Sequence, residues 1–155
     1  MNIVTKHFFV FKKISFIFIF FLFSFYSFAE EYQLKILGEN LLKEINIDDE
    51  KLVLAETNFK WTDSDANFGK GHCLGNIHTK SDKNSLSFLC EFIDFEGEKF
   101  FTKIYRESAE LATGIGFQRY IKVSNKYTKL LNKECKYAVS WFDKTSFLMQ
   151  QKCNL

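Results

Sequence analysis

The sequence predicts one mainly β domain, an antiparallel barrel or sandwich, and three observations carry that expectation. Apolar and polar residues alternate with period two in successive short segments from Lys51 onward. Turn-forming residues punctuate these segments at regular spacing. Two of the hairpins so defined each set one cysteine opposite another.

The first 29 residues read as an export leader and 30–155 as a single domain. Lys6, Lys12 and Lys13 supply positive charge, and no acidic residue precedes Glu30. Ile14 to Phe25 is apolar except for Ser15 and Ser24, and Ser27-Phe28-Ala29 places small residues three and one positions before a cut. That core is short for a membrane span, which needs about 20 residues. Cleavage near Ala29 and a periplasmic or secreted protein are therefore expected. The competing reading keeps the leader as an anchor, with Phe8 to Phe11 lengthening the apolar stretch; membrane contact is expected only through such an uncleaved leader.

Processing changes the composition. Ten of the 20 phenylalanines and three of the 21 basic residues lie in the leader, so 18 basic residues face 19 acidic ones in the remaining 126. No basic excess remains to point to nucleic acid. A domain of this size buries roughly two thirds of its unfolded surface, enough for a core.

Between Glu30 and Asn46, Leu34, Leu37, Leu41, Leu42 and Ile45 recur at helical spacing and predict a short N-terminal helix, with Gly38 speaking against it. The rival is a strand over Tyr32–Leu37, presenting Tyr32, Leu34 and Ile36 on one face, then a turn over Gly38–Asn40. Val53, Ala55, Thr57, Phe59 and Trp61 next form one face of a half-buried strand, followed by a polar loop from Thr62 to Asn67. Further strands are expected over Gly71–Thr79, Leu86–Phe95, Lys99–Arg106, Gly116–Val123, Cys135–Phe142 and Ser146–Cys153. Ser81-Asp82, Glu96-Gly97 and Asp143-Lys144 supply turns between them.

Four cysteines in a small exported domain read as two disulfides. Three connectivities are open by count, and strand pairing ranks them. Folding about Ser81-Asp82 sets Cys73 opposite Cys90, Gly75 opposite Phe88 and Ile77 opposite Leu86. Folding about Lys144 sets Cys135 opposite Cys153, Tyr137 opposite Gln151, Val139 opposite Met149 and Trp141 opposite Phe147. A slip of one residue destroys both matches, so the expected bridges are Cys73–Cys90 and Cys135–Cys153. No close Cys-x-x-Cys spacing suggests a metal or redox site.

Candidate chemical groups are few. His72 and His78 share a strand face but stand about 20 Å apart along it, too far for one ion, and read as separate solvent-facing side chains. Asp94, Glu96 and Glu98 around Gly97, with Asp63 and Asp65, read as charged hairpin tips rather than a calcium loop, which needs ligands at longer fixed offsets. Gly69-Lys70-Gly71 and Gly114-Ile115-Gly116 lack the pattern of a phosphate cradle and read as structural. Ser108, Ser124 and Ser140 have no nucleophile elbow. Tyr105, Tyr120 and Tyr137 read as core or rim tyrosines, with a lumen catalyst as the alternative. Neither metal nor cofactor is expected.

Trp61-Thr62-Asp63, Gly69 to Gly75 with Cys73, Cys90, Asp94 with Gly97-Glu98-Lys99, Gly114-Ile115-Gly116 and Cys135-Lys136-Tyr137 follow one another over about 90 residues, within a usual domain size. The segment resembles small exported bacterial proteins of uncharacterised function, and its order is similar to that of the allene oxide cyclase and dirigent-like β-barrels. The resemblance implies a single antiparallel up-and-down barrel of about eight strands whose lumen can hold a small apolar ligand. Val123-Ser124-Asn125-Lys126-Tyr127 stands where those barrels carry a Gly-Thr-Gly-x-Tyr element, and no cyclase catalytic residue maps onto this chain. The expectation is a non-enzymatic exported barrel that binds a small apolar ligand or an envelope protein partner. The alternatives are an isomerase or cyclase with its site in the lumen and a purely structural or interaction module.

Overall fold

The period-two pattern is realised as eight strands in one closed antiparallel barrel, each paired with its neighbours in sequence and the last with the first. The computed structural model describes residues 30–81, 83–108 and 115–155. The leader, Asp82 of the Ser81-Asp82 turn and Gly114 of the Gly114-Ile115-Gly116 segment lie outside the described residues, as does the Ser108 side chain. The strands are β1 Glu31–Ile47, β2 Glu50–Asp63, β3 Phe68–Lys80, β4 Lys83–Asp94, β5 Lys99–Ser108, β6 Ile115–Val123, β7 Glu134–Trp141 and β8 Ser146–Asn154. One short 3-10 helix, Asn125–Leu130, links β6 to β7.

The short helix expected between Glu30 and Asn46 is a strand; the rival strand over Tyr32–Leu37 is present with Tyr32, Leu34 and Ile36 on one buried face, but the turn that reading placed over Gly38–Asn40 is absent. β1 runs unbroken to Ile47 and turns only at Asp48-Asp49. Its inner face is Tyr32, Leu34, Ile36 and Gly38, all buried. The leucines that mimic helical spacing include Leu37, Leu41 and Ile45, which lie on the outer wall and are 55%, 61% and 60% exposed. Helical periodicity here buries nothing, whereas pairing with β2 satisfies the backbone from Leu34 to Ile47 and pairing with β8 adds Glu31 to Glu39. Gly38 also has a steric role, since a Cβ there would stand 2.7 Å from the Phe147 ring.

The two hairpin registers expected from the cysteines are present. β3 and β4 pair Cys73 with Cys90, Gly75 with Phe88 and Ile77 with Leu86. β7 and β8 pair Tyr137 with Gln151, Val139 with Met149 and Trp141 with Phe147. Both disulfides form, with Cα separations of 4.0 Å for Cys73–Cys90 and 4.6 Å for Cys135–Cys153, and all four sulfur-bearing side chains are buried inside the barrel. Two such bridges suggest an oxidising, extracytoplasmic setting.

Four inward-facing glycines, Gly38, Gly71, Gly75 and Gly116, each lie under an aromatic ring from a paired strand: Phe147, Phe59, Phe88 and Tyr137. The ring covers bare backbone that a side chain would otherwise occupy. At Gly75 the fit leaves no alternative, because a Cβ would meet Phe88 Cγ at 2.5 Å and the Ser87 carbonyl oxygen at 2.3 Å. Rings laid against the wall rather than across the lumen determine where the barrel is full and where it is open.

The end holding Tyr32, Asp63, Asp94 and the 3-10 helix is full. Phe92 and Phe100 stack at 4.4 Å, Trp61 meets Phe100 at 5.3 Å, and Tyr127 of the 3-10 helix meets Phe100 at 4.9 Å. Each such buried aromatic contributes about 1.5–3 kcal/mol of transfer free energy. Leu130, one turn after Tyr127, is also buried. The opposite end is uneven: β1 to β4 continue past the points where β6, β7 and β8 stop.

Candidate functional site

Inward-facing residues of β1 to β5, β7 and β8 converge on a cavity at the uneven end. Its volume is about 110 Å³. Ala55, Ile77, Leu86 and Phe88 form one side, while Ile104, Val139, Phe147 and Met149 form the other. The Cys73–Cys90 bridge contributes to the floor through Cys73, and Leu42 and Trp141 stand at the mouth. Trp141 is 42% exposed and its ring lies 5.4 Å from that of Phe147. The cavity exists because Ala55 is small and because the Phe88 and Tyr137 rings lie over Gly75 and Gly116 instead of filling the centre.

Polar groups in this lining are sparse. Thr57 donates its hydroxyl to Asn40 Oδ1 over 2.5 Å, so that pair is mutually satisfied in part. Tyr137 is the other polar lining residue, 3% exposed, with burial pushing its phenol up to about 12 and the charge of Arg106 opposing that shift. Among the described lining residues there is no carboxylate, histidine or lysine.

Below the floor lies a polar layer: Gln118 Nε2 donates to Thr102 Oγ1 over 3.1 Å, and Gln151 Nε2 donates to the Tyr120 hydroxyl over 2.8 Å. Tyr120 is fully buried, and its phenol is raised by desolvation. It belongs to the packed end and not to the cavity.

The remaining sequence candidates fall outside the cavity. His72 and His78 are on the outer wall, next to Glu91 at 3.8 Å and Glu50 at 3.4 Å respectively, as separate side chains. Tyr105 is on the outer wall, hydrogen-bonded to Glu134, which raises its phenol. Ser140 is exposed and Ser124 stands at the start of the 3-10 helix. Gly69 and Gly71 allow close strand approach, a Cβ at Gly69 falling 2.1 Å from the Ile93 carbonyl oxygen.

The hairpin-tip carboxylates act within the fold. Asp94 accepts the Glu96 and Glu98 amides at 2.9 Å each, Lys126 Nζ at 2.7 Å and the Tyr127 hydroxyl at 2.8 Å. Burial opposes its charge, but the bonds from Lys126, Tyr127 and the two amides hold the carboxyl below its ordinary range. Asp63 orders its own turn by hydrogen bonds, accepting the Asp65 and Asn67 amides at 3.0 and 2.8 Å and the Tyr32 hydroxyl at 3.2 Å. Among the described residues no three His, Cys, Asp or Glu side chains are grouped to hold a metal ion.

No protein-family model matches the chain, and no curated protein gives a significant match. Among solved structures the barrel is similar to the crystal structure of a protein with unknown function from Clostridium acetobutylicum. The TM-score is 0.60 at 14% identity, over 81% of this chain and 98% of that one. At that identity the likeness speaks for the fold alone.

Proposed function

We propose that this protein binds a small apolar ligand in the open end of its barrel, in an oxidising compartment outside the cytoplasm. The observation that carries this reading is the apolar cavity of about 110 Å³, set between a packed aromatic end and an open mouth. It is smaller than the 300–1,000 Å³ typical of drug-sized sites and nearer the roughly 150 Å³ that accepts benzene. A single ring or the end of an alkyl chain fits, with any larger remainder passing out beside Trp141.

Export supports the same reading. Residues 1–29 act as a removable leader, and the two disulfides are the covalent framework that an oxidising compartment permits. We take the resemblance to allene oxide cyclase and dirigent-like barrels as one of architecture, with binding rather than cyclisation as the use of the lumen.

Trp61 and Trp141 are the two tryptophans, and only Trp141 lines the cavity. In a Trp61→Phe background, titration with toluene is expected to change Trp141 emission saturably. Ala55→Leu, which fills the cavity from β2, abolishes the change while the fold persists. A response that is linear in toluene, or equal in the Ala55→Leu protein, contradicts the reading.

A further inference from the structure

We propose that the outer wall of β1 to β4 is a self-complementary face on which a second copy of this chain packs about a twofold axis. This face is on the other side of the wall from the cavity and is independent of what the barrel binds.

The period-two pattern that fills the barrel leaves alternate positions of each strand outside it. On this wall they include Leu41, Ile45, Leu54, Leu74 and Leu89, each more than half exposed. Strand register joins them into one patch. Leu74 is opposite Leu89, and Leu54 is diagonal to both Leu41 and Leu74. Contiguous exposed apolar surface of this kind, edged by polar groups, marks an interaction face.

Two charges within the patch specify what covers it. Lys43 is opposite Leu54 and Glu56 is opposite Leu41, which makes the two diagonal neighbours about 7–8 Å apart. Other charges on the wall are paired within the chain, Lys80 with Glu50 and Lys99 with Glu91. Lys43 and Glu56 pair neither with each other nor with any other described residue. A wholly apolar partner would desolvate both charges and leave them unpaired, which is costly. A second copy answers them reciprocally. With the twofold axis in the plane of the interface and perpendicular to the line from Lys43 to Glu56, each lysine meets the glutamate of the other copy. The same axis brings Leu41 and Leu54 near their own counterparts and Ile45 over Leu74. Apolar groups therefore cover apolar groups where the charges pair.

The test is sedimentation velocity on the oxidised, exported protein. At about 100 µM a dimer is expected, and its population falls on dilution. Lys43→Glu and Glu56→Lys each set like charges face to face at two symmetric contacts, so each alone should weaken association about tenfold or more. Both residues are exposed, and an unchanged thermal midpoint in dilute, monomeric samples verifies the fold. An equal mixture of the two variants should recover dimer of wild-type strength, because each chain then supplies the charge the other lacks. A monomer or a trimer at the starting concentration overturns the inference, and so does a monomer that pellets with phosphatidylglycerol vesicles, which marks the wall as a lipid face. A dimer that both variants leave intact places the interface elsewhere and overturns it as well. Loss of dimer in each variant without recovery in the mixture overturns the reciprocal pairing and the twofold arrangement built on it.

Discussion

The hydroxyl of Tyr127 donates to Asp94 Oδ2 over 2.8 Å, joining the 3-10 helix to the β4–β5 hairpin across 33 residues of sequence. Lys126 reaches the same oxygen at 2.7 Å and Glu96 at 2.6 Å. One carboxylate thus orders a hairpin turn and fastens the segment whose Tyr127 and Leu130 stop the packed end of the barrel. Tyr127→Phe leaves a buried charged group short of one donor, so a loss of about 1.5–3 kcal/mol is expected. Urea denaturation with an unchanged slope checks it.

The same carboxylate makes the plug acid-sensitive. The Asp94 pKa is lowered in the fold, so its contribution is complete well above the unfolded value of about 3.9 and is lost as pH falls through the lower folded value. Lys126 is raised by Asp94 and Glu96, so its contribution holds below the ordinary lysine value and is lost as pH rises through the folded one. The stability gap between wild type and Asp94→Asn should be wide at neutral pH and shrink toward pH 3, as read by thermal melts across that range.

The two disulfides close loops with sequence separations of 17 and 18 residues. In the chain-entropy model each stabilises by about 3 kcal/mol. Replacing either pair by serine is expected to lower stability by that order, and peptide mapping without reductant should recover Cys73 with Cys90 and Cys135 with Cys153. A Cys73-to-Cys135 peptide would contradict the register.

Two glycines should respond differently to alanine. Gly75→Ala drives a Cβ into the Ser87 carbonyl oxygen and the Phe88 ring, so overpacking of about 1–3 kcal/mol is expected. Gly97 has φ of +87° with open space around its Cβ, so Gly97→Ala brings only backbone strain of about 1–2 kcal/mol. Only Gly75→Ala should also alter toluene binding, because Phe88 lines the cavity.

Much of this barrel was legible in the amino-acid order, and the parts that were not have identifiable physical causes. Period-two burial at Val53, Ala55, Thr57, Phe59 and Trp61 and the two cysteine registers are local properties of single hairpins, so counting residues recovers them. β1 misled because its outer wall carries leucines that bury nothing, and exposure is invisible until the neighbouring strands are placed. The 3-10 plug was not expected, since its signal is an aspartate and a tyrosine 33 residues apart. Tyr137 reads from the chain as a core or rim tyrosine, and its pairing with Gln151 follows from the register. The cavity its side chain lines depends on rings lying against glycines, which no spacing in the chain records.

The central claim is that the open end of the barrel holds a small apolar ligand. Two-dimensional NMR of the oxidised 30–155 protein with toluene tests it most directly. The account predicts saturable shifts confined to cavity methyls such as those of Met149, Val139 and Leu42, with Leu34 and Leu130 of the packed end unmoved. Shifts on the outer wall alone, at Leu41, Leu54 or Leu74, would contradict it.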